Sequence, residues 1–301
     1  MKILLRVLLL FAMTEGVLAE SEFVVTHRSP YTPLDKHHDY SNELLALALE
    51  KTRQLYGPFT LKAMPPRNYT RSLKAAVDDA YPNLVIETSY ERLLDQNSKL
   101  TYINFPLDLG VLGYRICFIN PKLKASGQDF TNLEQLKKYT FAHGVGWADT
   151  AILRHNGLSV REMDNYDGIF LMVLSGRVDF FCRGANEILN ERMQFKELTD
   201  LEIDDSFMLV YSMPRLFYLN SKNTLAKERL EVGIKMAYED GSLQQLWLKH
   251  FKTSLEWAQL SKRKAIYLEN PLLGGLALSI NPDFLSLLAP VARASSSKQA
   301  E

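Results

Sequence analysis

Ser89–Asn120 reads SYERLLDQNSKLTYINFPLDLGVLGYRICFIN. It opens on a polar cluster with a fixed cation (Ser89, Glu91, Arg92), continues as an extended segment, and ends in a β-rich run at 112–119, long enough to leave one globular body and enter another. A second run of that kind, FMLVYSMPRLFYL at 207–219, follows about ninety residues later. Two crossings with a compact segment between them predict two lobes and a cleft.

Upstream, FVVTH at 23–27 is a β-branched strand, and Pro30 with its polar neighbours turns the chain just before Tyr31. Arg28 therefore stands at the carboxyl end of a strand, where open α/β sheets bind ligands; the alternative is a solvated loop cation. Helical spacing predicts a helix over 41–56 stopped by Gly57, a strand over 59–64 ended by Pro65-Pro66, a helix over 70–80 and a strand over 83–86 that runs into the polar cluster. That alternation is the pattern of a parallel sheet covered by helices. The inserted segment repeats it, with a helix at 131–139 opened by a Thr131/Glu134 capping box, strands at 140–143 and 178–182, and helices at 148–155, 166–174 and from 185. After the second crossing a long helix runs to Asp240, and a shorter one, capped by Ser242, carries Leu243, Leu246, Trp247 and Phe251 inward. The reading is α/β with two lobes: 22–114 and 216–290 form the first, 115–215 the second, and 291–301 a disordered tail.

Composition bounds the function. Apolar residues make up 47% of the chain, charged residues 23%, and 35 basic residues balance 35 acidic ones, which excludes a nucleic-acid footprint and general disorder. The 301 residues exceed one ordinary core, so two domains are expected. Lys2 and Arg6, the apolar core 3–11 and the small residue Ala19 read as a cleavable secretory signal over 1–19, with an uncleaved anchor as the alternative. Export would place Cys117 and Cys182 in an oxidising compartment. Each lies in an apolar strand-like run, so two buried thiols are expected ahead of a disulfide.

Three features could carry chemistry. The glycine-rich turn at 144–150 precedes a helix, whose unpaired N–H groups favour an anion; Trp147 adds a stacking face, and Asp149 or Thr150 a directional hydrogen bond. An ordinary strand-to-helix turn with a buried Trp is the alternative, and the sequence slightly favours it. Arg183 ends a strand, where it could clamp a carboxylate or phosphate, or pair with Glu187 four residues on. The six His are scattered, no hydrolase or metalloprotease motif is present, and no metal or cofactor is expected.

Taken together, the chain resembles the family-3, amino-acid-binding periplasmic solute-binding proteins, which have the type II two-lobe fold. Ser89-Tyr90-Glu91-Arg92 looks like that family's T-P-E-R element, and Phe105-Pro106-Leu107-Asp108 stands in place of its F-S-x-P-Y. Leu133 to Leu136 with the GVGWADT loop looks like the start of its second lobe, LSGRVDF at 174–180 like its L-x-x-G-x-V-D-A strand, and 237–251 like its A-x-x-D-G-(S/T) signature. The resemblance spans 23–251; the extension 254–290 lies beyond it. It implies a ligand carboxylate held by Arg92 and Ser89, second-lobe contacts from Trp147 and Thr150, and an acid for the ligand's amino group at the position occupied here by Gly184. Arg183, Arg28, Tyr31 and Glu187 complete the candidate site, with Glu187 able to replace the missing acid. The implied protein is a periplasmic monomer that closes on a small polar, anionic or amino-acid-like solute and is met by a membrane partner, an ABC transporter or a sensor. Two rivals stand beside it: a dehydratase-like enzyme on the same fold using Glu187, Asp149 or Glu91, and an orphan acting only through a protein partner.

Overall fold

A computed structural model describes residues 22–29, 38–280 and 283–288; the expected signal 1–19, Tyr31 and the tail 291–301 lie outside the described residues. In chain order the elements are β1 (Phe23–His27), α1 (Asp39–Lys51), α2 (Arg53–Tyr56), β2 (Phe59–Ala63), α3 (Tyr69–Val77), β3 (Leu84–Ser89), α4 (Arg92–Asp95), β4 (Leu100–Tyr102), β5 (Tyr114–Ile119), α5 (Pro121–Ala125), α6 (Leu133–Leu136), β6 (Thr140–Gly144), α7 (Ala148–His155) and β7 (Ser159–Met163). They continue with α8 (Tyr166–Leu174), β8 (Phe180–Gly184), α9 (Ile188–Gln194), β9 (Glu202–Ile203), β10 (Phe207–Val210), β11 (Arg215–Asn220), α10 (Thr224–Glu239), α11 (Ser242–Ala258) and β12 (Lys264–Tyr267).

Two sheets result, one for each lobe. The first has the order β2-β1-β3-β11-β4, with β1, β2 and β3 parallel and β11 antiparallel to both neighbours. The second has the order β12-β10-β5-β8-β6-β7, with β9 added against β5. Among the described residues no helix is long and apolar enough to cross a membrane.

Local chemistry corrects several boundaries. The helix expected over 41–56 breaks at Thr52, whose hydroxyl donates back to the carbonyls of Ala48 and Leu49 while the buried Arg229 donates to it. Arg229 reaches this corner because α10 lies hard against α1: a Cβ on Gly233 would stand 2.0 Å from the Ala48 carbonyl oxygen. The helix expected from Thr131 starts later, because Asn132 rather than Thr131 caps it by accepting from the Gln135 N–H. Likewise Gly241, in the left-handed region, precedes α11 with no side-chain cap, and Asp240 accepts from the Ser242 N–H.

The opening stretch does cross between bodies. Asp108 ends the first-lobe part; its carboxylate accepts the N–H groups of Gly110 and Leu112 at 3.2 Å each, bending the chain through left-handed Leu109 and Gly110 into β5. The return run 207–219 is two strands rather than one: β10 belongs to the second sheet and β11 to the first, with Ser212-Met213-Pro214 between them. Pro214 has no N–H for a ladder, and its carbonyl instead accepts from Tyr90. The crossings touch at Gly113, where a Cβ would stand 2.2 Å from the Tyr211 carbonyl oxygen.

Two further corrections follow. Cys117 and Cys182 are not free thiols: they face each other in register on antiparallel β5 and β8 and form a disulfide. The extension beyond 254 does not stay with the first lobe either. β12 pairs in parallel with β10, covering that strand's open edge with Ile266 turned inward, and so belongs to the second sheet. From there residues 268–280 run back as a strap. Leu268 donates to the Val210 carbonyl and Asn270 to that of Ser212; the Arg92 N–H then donates to Leu272, and Asn104 to Ala277. Leu273, Leu276 and Leu278 pack on the first-lobe cluster of Met64, Tyr90 and Tyr218. Phe284 is buried between Trp247 and Tyr114.

Asp108 makes the crossing sensitive to pH. Burial pushes its carboxyl up to about 6, against the partial opposition of Arg215 and the two backbone donors. A raised folded value means that its stabilising contribution is complete below about 3.9, the ordinary aspartate value, and is lost as pH rises through 6. Asp108→Asn should therefore gain stability relative to the native chain between pH 4 and pH 7 in urea titrations; parallel profiles would refute this.

Candidate functional site

Each sheet has one place where consecutive parallel strands lie on opposite sides of a shared neighbour. In the first it falls between β1 and β3; in the second it falls between β6 and β8, since β6 pairs in parallel with both β7 and β8. The carboxyl ends of strands at such a point diverge and leave a crevice where α/β folds bind ligands. Arg28 follows β1 and Ser89 ends β3, while the 144–147 turn follows β6 and Arg183-Gly184 ends β8.

On the first-lobe side a charged pair is buried at the end of β3. Glu87 pairs with Arg215 on β11 and, at 3.5 Å, with His38. Burial pushes its carboxyl up, but Arg215, His38 and Arg28 outweigh this and hold it at about 2. Beside it Thr88 donates to the Tyr69 hydroxyl at 3.2 Å, and Ser89 is in register with Arg215. Glu91, half-buried, has its carboxyl raised by burial. Arg92 begins α4 and is exposed; its side chain lies along the strap, with Cδ 2.7 Å from where a Cβ on Gly274 would stand.

The second-lobe side is more densely ionic. Arg115, fully buried at the start of β5, reaches Asp149 at 2.8 Å and Glu187 at 3.5 Å, and its Nε donates to the Tyr211 hydroxyl at 3.0 Å. Tyr211 donates in turn to Asp149 at 2.5 Å. Burial alone would raise the Asp149 carboxyl, but Arg115 first, with the Tyr211 hydrogen bond and Arg183 adding to it, holds it below its ordinary value. Arg183 is 6% exposed and makes two ion pairs, Nη2 to Glu187 at 3.1 Å and Nε to Glu191 at 2.7 Å. Its guanidinium carbon lies 4.8 Å from the ring centre of Trp147, 5.6 Å from Phe181 and 6.0 Å from Tyr166. Burial lowers its affinity for the proton, yet Glu187 and Glu191 more than restore it, so the charge is permanent.

Beneath this network lies His143, wholly buried between Trp147 and Phe181 and neutral, because burial pushes its imidazole down to about 4. Both its ring nitrogens and the Thr150 hydroxyl are buried without a hydrogen-bond partner among the described residues. Among the described residues no cluster of His, Cys, Asp and Glu could hold a metal.

The second lobe thus places Trp147 and Thr150 after β6 and Arg183 with Glu187 at and just past the end of β8, Trp147 lying against Arg183, and the first places Arg28 after β1 and Ser89 at the end of β3, with the exposed Arg92 beside the strap. Glu187 supplies an acid where Gly184 has none: its Oε2 accepts from the Gly184 N–H at 3.1 Å and lies 3.1 Å from where a Cβ on Gly184 would stand. Sequence reasoning missed Glu87, Arg115, Tyr166, Glu191 and Tyr211. Arg115 left a signal, since a lone cation within the apolar strand YRICFI must be buried with partners.

No protein-family model and no curated protein matches this chain. Solved structures do. An ancestral arginine-binding protein bound to arginine matches 76% of this chain and 99% of its own, with a TM-score of 0.55 at 17% identity. The GluR0 ligand-binding core complexed with L-glutamate matches 77% and 99%, with a TM-score of 0.58 at 12% identity. A periplasmic His/Glu/Gln/Arg/opine family-binding protein from Silicibacter pomeroyi, complexed with lysine, matches 76% and 96%, with a TM-score of 0.54 at 12% identity. The fold is the two-lobe type II periplasmic binding fold. About a quarter of this chain lies outside each match.

Proposed function

We propose that the chain is a secreted, periplasmic solute-binding protein of the family-3, amino-acid-binding kind, whose lobes close on a small polar solute for a membrane transporter or sensor. The first lobe comprises 22–114 and 216–258, and the second 115–215 with β12. The observation that carries the reading is the cluster of buried, mutually paired charge near the strand switch point of each sheet, Glu87 with Arg215 in the first and Arg115 and Arg183 with their acids in the second, which would line a cleft for a polar solute. The solved neighbours support the solute class, being complexed with arginine, L-glutamate and lysine. One further neighbour is an ancestral amino-acid-binding protein described as a precursor of cyclohexadienyl dehydratase. Hinge closure would present the closed form to the membrane partner.

The test is calorimetry on unfolded, washed and refolded protein against the amino acids and small organic acids. One chemical class should bind saturably, and Ser89→Ala with Arg28→Ala should weaken it at least tenfold. Absence of binding across the set would favour the rival in which the fold acts through a protein partner. That rival draws support from one observation: Arg183, a candidate to clamp the solute, is already engaged by Glu187 and Glu191.

A further inference from the structure

The surroundings of Arg183 form a recognition site for a guanidinium group. Two carboxylates take its N–H edges, with Glu191 on Nε and Glu187 on Nη2, and the Trp147 ring lies 4.8 Å from its central carbon. The Tyr166 hydroxyl donates to Glu191 Oε1 at 2.7 Å and so fixes the carboxylate that receives Nε. The planar cation is what this set selects. A fork of N–H donors reaches two carboxylates at once while the flat face meets an aromatic ring, and a compact ammonium can do neither as well.

We propose that the second-lobe wall of the cleft is a guanidinium-binding site held occupied by the protein's own Arg183, a tethered pseudo-ligand that an alkylguanidinium can replace once the side chain is removed. The tether keeps the local concentration of the group at millimolar or above, so the native protein gives a free guanidinium no room on this wall. The inference rests on the cleft reading for its consequence: a solute must either leave Arg183 in place and contact the outer side of the network, or carry a cation that displaces it. Arg183 thereby decides which solutes the second lobe admits.

The experiment uses the full chain with Arg183→Ala and methylguanidinium as the probe. Thermal melts of the variant should show a saturable rise of several degrees with methylguanidinium at millimolar concentrations, and none with methylammonium or sodium chloride at matched ionic strength. The native protein should show no rise, and adding Glu191→Gln to the variant should abolish it. A folded Arg183→Ala that gives neither a melting shift nor calorimetric heat with methylguanidinium overturns the proposal. If the variant does not fold alone, it is refolded across a methylguanidinium series: recovery of native circular dichroism supports the site, and failure at every concentration overturns it. The readout needs no natural solute, so a negative result leaves the solute-binding reading standing, and failure of the native protein to bind solutes leaves this proposal standing.

Discussion

Arg115→Met should cost on the order of 3–5 kcal/mol of stability in urea unfolding at pH 7. The side chain is buried at the start of β5, and removing its charge leaves Asp149 and Glu187 facing a low-dielectric interior with one cation fewer. Much of the loss is the desolvation of Asp149, which would keep the Tyr211 hydroxyl as a hydrogen-bond donor but lose its cation. The pH dependence discriminates. In the native protein the Asp149 carboxyl is held below its ordinary value, so its contribution is present above about 3.9 and lost as pH falls through the lowered value. In the variant burial acts with less opposition, the folded value rises, and the deficit should shrink from pH 7 to pH 4. Asp149→Asn added to Arg115→Met should recover part of the loss, because the two residues act as a pair. A single-variant loss under 1 kcal/mol at pH 7 would mean that water reaches the network and that it is not a buried site.

Replacing Cys117 and Cys182 together by alanine should lower stability by about 4 kcal/mol, the loop-closure value for two residues 65 apart in sequence. The bridge joins neighbouring central strands of the second sheet, and the segment it closes contains β6, α7, β7 and α8. The denatured chain gains freedom throughout that loop when the bridge is absent. Reductant should lower the melting temperature of the native protein towards that of the double variant, and leave the variant unchanged. Equal melting temperatures with and without reductant would show that the thiols are not joined.

The architecture was legible because periodicity reports it directly: strand and helix periods alternate through 23–91 and again through 131–195, and two apolar runs mark the crossings. The bridge was not legible, because Cys117 and Cys182 lie in strands far apart in sequence, and only the antiparallel register of β5 with β8 sets them opposite each other. Long-range pairing also hid the acids. Glu191 reads from sequence as an ordinary residue of a short amphipathic helix, yet α9 turns it back onto Arg183 across the end of β8. Glu187 was legible both as a partner of Arg183, from its i,i+4 spacing, and as an acid for the position that Gly184 leaves empty, beside which its carboxylate stands. β12 escaped notice because KAIY is short and lies after the last helix, where neither an alternation of apolar residues nor a turn signal marks a strand.

The strap and β12 change what the last quarter of the chain does. β10 is flanked by β5 on one side, paired at Leu209 and Val210, and by β12 on the other, paired along the whole of 207–210. A chain ending soon after α11 would lose that cover. It would expose a strand edge whose outward groups seek another chain, and with it the apolar side chains Phe207 and Leu209, now fully buried. The segment that looks like an appendage in sequence is thus the guard of the second sheet against self-association, and the shorter molecule would be an aggregating one rather than a minimal binding protein.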